Sequence, residues 1–171
     1  NAMLKNTGIN IGKSVCDEGY KNLVGEIIEK SETHNCKIYY PIDVVVSKTL
    51  DGNGTIKEIT EVNNDEMILD IGPKTIESIK NIINDTNTVL WNGPAGYFEN
   101  PNFANGTKKI LEIIANKRLK DKIYAVAGGG ETVAVINKFN KLNTFNFVST
   151  AGGAFLEYLE GKELPGIKAL N

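Results

Sequence analysis

Arginine is almost absent. Of 19 basic side chains in 171 residues only Arg118 is an arginine, and it sits in the solvated-looking run K-R-L-K-D-K. Arginine is the usual bidentate clamp for phosphate and carboxylate. A strongly anionic substrate would therefore find most of its cationic grip outside these residues. Histidine is scarcer still. His34 stands alone in S-E-T-H-N, and a loop histidine without partners reads as a solvated side chain. Cys16 and Cys36 form no CxxC pair, so neither a zinc site nor a disulfide framework is indicated. No apolar run approaches the length of a membrane span, which makes a soluble, cytoplasmic protein without a membrane partner the expectation. The formal net charge is −2, with no basic patch and no polyacidic tail, so nucleic acid is not an expected partner. No secretory signal opens the chain. Asn1-Ala2-Met3 reads either as a cloning remnant or as native sequence from mid-chain.

What is present has a globular profile, 41% apolar and 23% charged, long enough for one domain with a full core. Ser14 and Asp17 resemble a capping box, followed by Tyr20, Leu23, Val24, Ile27 and Ile28 at helical spacing. This predicts an amphipathic helix over about 15–30. The run K-I-Y-Y-P-I-D-V-V-V at 37–46 predicts a strand, kinked or bulged at Pro41. D-G-N-G within 47–62 argues a small antiparallel hairpin. A short apolar run follows at 67–70, then a helix opened by Gly72-Pro73, with proline at its preferred first position.

From there strands and helices alternate. Strands are expected at 88–91, 122–127 and 145–149. Helices are expected at about 102–116, from the glycines after 127 to about 139, and from the glycines after 149 to near Gly161. The breakers of the last ten residues, K-E-L-P-G-I-K-A-L-N, argue against a continued helix. Successive strand–loop–helix units without tight hairpins imply a parallel sheet covered by helices.

Each of those three strands releases its chain into a glycine-containing loop: W-N-G-P-A-G, G-G-G-E-T and T-A-G-G-A. In open parallel sheets ligands bind outside the carboxyl ends of the strands, and parallel strands place all three loops on one edge. Gly128, Gly129 and Gly130 lose more chain entropy than a turn requires, which fits backbone amides approaching an anion at a helix N-terminus. Glu131 is then either a favourable first-turn acid or a holder of Mg²⁺. In the third loop Thr150 is a candidate cap, and Gly152 and Gly153 would expose amide donors.

The first loop has two readings. Trp91 is core and Pro94 stiffens a turn in the first. In the second, the Asn92 amide reaches a phosphate or nucleotide oxygen, Gly96, Tyr97 and Phe98 wall a planar ring, and Glu99 accepts from ribose hydroxyls. The segment G-I-N-I-G-K-S at 8–14 imitates a phosphate loop but has three residues between its glycines instead of four, and no strand before it. Lys13 is read as a surface residue.

Together and in this order, these segments resemble phosphoglycerate kinase, specifically its C-terminal, nucleotide-binding domain. The resemblance runs through P-I-D-V-V-V (41–46), L-D-I-G-P-K-T (69–75), V-L-W-N-G-P-A-G-Y-F-E (89–99), F-A-N-G-T-K (103–108), G-G-G-E-T (128–132) and S-T-A-G-G-A-F-L-E-Y-L-E-G-K-E-L-P-G (149–166). N-A-M-L at 1–4 resembles the segment that contributes to the family's adenine pocket, which favours mid-chain sequence there.

The resemblance implies an α/β fold, a three-layer Rossmann-like parallel sheet with helices on both faces plus a small antiparallel hairpin. Residues 1–161 would be a nucleotide-binding domain lacking its first part. Residues 162–171 would be a tail that returns toward the N-terminal domain in the full enzyme.

It also implies the activity: reversible phosphoryl transfer between 1,3-bisphosphoglycerate and ADP, giving 3-phosphoglycerate and ATP in glycolysis, by a monomeric enzyme using Mg²⁺. Asn92 would lie near the nucleotide phosphates. Gly96, Tyr97 and Phe98 would border the adenosine, and Glu99 would bond ribose. Glu131 would serve the metal, with Gly128–Gly130 before it and Thr132 beside the phosphates. Gly152 and Gly153 would stabilise the transferring phosphoryl group.

Departures from the family pattern are Glu131 in place of aspartate and Ala151 in place of a glycine, whose Cβ would restrict the loop if positive φ were required. The phosphoglycerate-binding domain has no counterpart here, nor do the glycine-rich loop and the phosphate-facing lysines of the early nucleotide domain. An exposed sheet edge and an inactive isolated chain follow as expectations. The competing reading is a non-catalytic nucleotide-binding or scaffold module. A dehydrogenase ranks far lower, since no G-x-G-x-x-G opens a strand–helix unit.

Overall fold

The computed structural model describes residues 1–16, 19–121 and 123–170. Its frame is two three-stranded sheets, one antiparallel and one parallel. In the antiparallel sheet β1 (Asp43–Ser47) is central, paired with β2 (Thr55–Glu58) on one side and β3 (Met67–Ile71) on the other. The valines of β1 give it strand character, and Val44 and Val46 point into a buried cluster with Leu4, Ile11, Ile59 and Val62.

The expected hairpin is present, with β1 as its first arm and D-G-N-G in its loop; β3 extends it to three strands. A register shift falls between Val45 and Val46, not at Pro41. The strand starts after the proline. The amides of Ile42 and Asp43 donate to the Thr75 hydroxyl at 2.9 and 3.1 Å.

Helix α1 (Ala2–Asn6) precedes α2 (Tyr20–Thr33), which begins later than the spacing predicts. Ser14 does not cap it. The Ser14 hydroxyl donates to the Ile11 carbonyl and accepts the Ile68 amide at 2.8 Å, so it ties the chain to β3. Asp17, its expected partner in the capping box, lies outside the described residues. Tyr20 and Val24 are buried, whereas Leu23 and Ile27 stay exposed.

After β3 the chain alternates: α3 (Pro73–Asn84), β4 (Thr88–Asn92), α4 (Asn105–Asp121), β5 (Tyr124–Gly128), α5 (Gly130–Lys138), β6 (Phe147–Ser149) and α6 (Gly153–Leu159). Pro73 opens α3 as expected. A tight turn at Pro101–Phe103, capped by Asn100 accepting the Asn102 amide, precedes α4 and delays its start. Lys122, the expected start of the next strand, is outside the described residues. Gly161, at φ +79, stands one residue beyond the Glu160 C-cap of α6, and one further turn, α7 (Pro165–Lys168), follows.

Strands β4, β5 and β6 pair in parallel, in that order. One face of this sheet carries Val89, Trp91, Ala125, Ala127 and Val148. It packs on Ile83 of α3, on Ile110, Leu111 and Ile114 of α4, and on Val135 and Ile136 of α5. Among the described residues the other face is covered at its top, where Phe155 of α6 lies against Gly128. Below it Leu90, Tyr124 and Phe147 remain 45%, 52% and 53% exposed. Among the described residues no helix is long and apolar enough to cross a membrane.

Candidate functional site

Parallel register sets the site. Asn92 pairs with Gly128, and Gly128 with Ser149, so the last residues of β4, β5 and β6 stand side by side in one row. The three glycine loops leave from that row at one sheet edge. The chain thus brings Asn92, Glu131, Gly152 and Gly153 to the same rim.

The glycines of the second loop serve different ends. Gly128 is buried, and a Cβ there would meet the Phe155 ring at 2.4 Å. Gly129 caps α5 at φ +91, with the Asn92 side-chain oxygen 2.8 Å from where its Cβ would be. Gly130 borders open space. In the third loop Gly152 caps α6 at φ +51, with nothing within 4 Å of an added Cβ, and Gly153 is equally open. Left-handed backbone favours glycine at 129 and 152. Ala151 is not among the residues with positive φ, so its Cβ imposes no such strain. The first turns of α5 and α6 therefore both face the rim, as an anion-binding edge requires.

Asn92, Tyr97, Glu99 and Glu131 are exposed. Two of the side chains expected at the ligand, Phe98 and Thr132, are buried instead. Phe98 is 8% exposed and belongs to the main core, with the Lys138 ammonium 5.5 Å above its ring and bonded to its carbonyl at 2.9 Å. Thr132 is fully buried, and its hydroxyl accepts the Gly93 amide at 2.6 Å. Phe98 thus secures the far end of the first loop from inside, and Thr132 holds its near end.

Other residues behind that loop were not singled out by sequence. The buried Thr107 hydroxyl accepts the amides of Ala95 and Gly96 at 3.1 and 3.2 Å. The Tyr97 amide donates to the Leu69 carbonyl of β3 at 2.8 Å. Gly96 is wedged: a Cβ would lie 2.4 Å from the Phe103 carbonyl and 2.5 Å from an Asp70 carboxylate oxygen. Asp70 is 1% exposed and accepts the Ile71 amide on one oxygen and the Gly106 amide on the other, at 2.9 and 2.8 Å. Burial pushes its carboxyl up to about 6, against the opposing pull of amides at Gly106, Ile71 and Asn105. The available signal was a threonine on an otherwise apolar helix face and an aspartate ending an apolar strand.

A cavity of about 220 Å³ adjoins the loop, lined by Met3, Leu4, Tyr40, Ile68 and Ala95 with Asp70 at its wall. It is smaller than the clefts of roughly 300–1,000 Å³ that enclose whole small molecules, so one ring is the part it suits. It brings the N-A-M-L segment to the loop after β4. Among the described residues no three His, Cys, Asp or Glu side chains cluster as metal ligands, and Glu131 is an exposed carboxylate in the first turn of α5. That arrangement fits a cation that arrives with phosphates and water as its other ligands.

Comparison with known proteins bears on the family and the fold. The family profile described as Phosphoglycerate kinase matches residues 1–162. The phosphoglycerate kinase of Zymomonas mobilis is 44% identical over 99% of this chain and 43% of its own length. That of Plasmodium falciparum is 43% identical over 95% of this chain and 40% of its own. The structure of phosphoglycerate kinase from Coxiella burnetii superposes with a TM-score of 0.90 at 40% identity, covering all of this chain and 44% of that one. The enzyme from Pyrococcus horikoshii superposes at 0.81 with 29% identity. The chain spans less than half the length of these relatives, and it belongs to the phosphoglycerate kinase family.

Proposed function

We propose that this chain is the nucleotide-binding part of a phosphoglycerate kinase, with residues 1–161 as the binding unit and 162–171 as a tail. The carrying observation is the row Asn92–Gly128–Ser149, which aligns three loops and two glycine-capped helix N-termini at one rim. In this reading adenine enters the cavity beside Ala95, with Tyr97 at the ring and Glu99 at the ribose. Asn92 and the open amides near Gly129 and Gly130 meet the phosphates of ADP or ATP. Glu131 would hold Mg²⁺, which when bound would neutralise charge on the phosphates. Gly152 and Gly153 offer amides to the phosphoryl group in transit. The phosphoglycerate substrate, 3-phosphoglycerate or 1,3-bisphosphoglycerate, is strongly anionic and needs cationic residues that this arginine-poor chain does not supply.

Calorimetry with Mg·ADP tests the reading. Binding is expected, weakened by chelating the metal, and the Glu131→Gln variant should lose that dependence on metal. Absence of binding up to millimolar nucleotide would refute it. The isolated chain should show no turnover of 3-phosphoglycerate and ATP; measurable turnover would refute the division of labour between this chain and residues elsewhere.

A further inference from the structure

We propose that Thr107 is a positioning residue for the loop after β4, its hydroxyl holding Ala95 and Gly96 where a nucleotide can be received. This rests on the nucleotide reading above. Thr107 lies in the first turn of α4 and is fully buried, behind the loop. Its oxygen accepts two consecutive loop amides, those of Ala95 and Gly96.

The neighbouring amides are held in the same manner. Gly93 donates to Thr132 on α5, and Tyr97 donates to the Leu69 carbonyl on β3. Pro94 has no amide hydrogen. Every amide from residue 93 to residue 97 is therefore spoken for by the protein. Residues 93–97 in this state offer a ligand carbonyls and side chains, and no backbone N–H. The backbone amides that meet phosphate must then come from the other two loops, and the first loop adds only the Asn92 side chain to its part as spacer and wall.

Thr107 is the point on which this depends. One hydroxyl serves two donors, so removing it orphans both at once in a part-buried place. Gly96 has no room to adjust inward, being wedged against the Phe103 carbonyl and Asp70. The loop would have to swing outward, across the cavity mouth at Ala95.

Thr107→Val keeps the shape and removes the acceptor; Thr107→Ser keeps the acceptor and removes a methyl. In the full chain, Thr107→Val should weaken Mg·ADP binding about tenfold or more. It should also speed amide exchange at Ala95 and Gly96 while leaving Ala125 in β5 protected. Thr107→Ser should restore both readouts, a pattern that packing alone does not produce, because serine is the poorer filler.

Valine binding like the native chain, or serine behaving like valine, overturns the proposal. Should valine fail to fold, the native chain decides: Ala95 and Gly96 amides exchanging as fast as exposed ones overturn it, and protection near that of Ala125 upholds it. If the native chain does not bind Mg·ADP, the nucleotide reading falls. The claim that Thr107 holds the loop is then judged by exchange in the same variants.

Discussion

Among the described residues Asp70 carries the sharpest electrostatic conflict. Its folded-state carboxyl titrates at about 6 instead of 3.8 because burial disfavours the charge more than three amides favour it. A raised value means that the folded state binds the proton more tightly than the unfolded one. The resulting stability is fully present below pH 3.8 and is lost as pH rises through 6. The loss amounts to as much as about 3 kcal/mol at roughly 1.4 kcal/mol per pH unit. The difference in unfolding free energy between the native chain and Asp70→Asn should therefore be greatest near pH 4 and shrink through pH 6, read from urea titrations at each pH. A flat difference would contradict the assignment.

Two glycines at this scale should lose stability to alanine for different reasons. At Gly96 the new methyl meets backbone and carboxylate at 2.4–2.5 Å, an overpacking that costs about 1–3 kcal/mol. At Gly152 the space is open and only the backbone, at φ +51 and ψ −114, opposes a side chain, at about 1–3 kcal/mol. Thermal unfolding of both variants checks the losses. Sequence showed that each position was a glycine in a loop, but gave no way to tell crowding from backbone conformation.

At the level of elements, α3 is capped from another part of the chain. Its own N-cap, Gly72, has no side chain to offer. The Asp43 carboxylate of β1 supplies the acceptors, taking the amides of Lys74 and Thr75 at 3.0 and 2.8 Å and the Thr75 hydroxyl at 2.9 Å. Burial pushes the Asp43 carboxyl up, but these bonds outweigh it and hold the group below 3.8. Its stabilisation is present above that value and fades as pH falls through the lower folded value, opposite in sense to Asp70. Asp43→Ala should cost about 1–3 kcal/mol and loosen the first turn of α3, measured by denaturation and by exchange at Lys74 and Thr75. The proline at the start of α3 was legible from G-P; its cap, some thirty positions earlier in the chain, was not.

The whole molecule is uneven. The helix-covered face of the parallel sheet is sealed, with Leu111, Ile114 and Ile136 at 1% exposure or less, while Leu90, Tyr124 and Phe147 stand half in water on the opposite face. Leu111→Ala should cost about 2–5 kcal/mol through loss of burial and the cavity left behind. Leu90→Ala in this chain should cost under about 1 kcal/mol, because little apolar area leaves water there on folding. Equilibrium unfolding of the two variants separates the cases. Equal losses would mean that the open face is covered in solution.

Periodicity, turn residues and glycine placement determined the order of elements, the parallel run of three strands and the single rim from which their loops leave. These are local or topological consequences of the chain, since strand–loop–helix units connect in one hand. The residues of that rim were named from sequence, as was the family. Tertiary structure alone decided which of them face outward. Phe98 and Thr132 turned inward, and Thr107, Asp70 and Asp43 emerged as the supports, because burial and a shared hydrogen bond depend on what packs opposite. That partner lies tens of residues away along the chain and leaves no mark on local spacing.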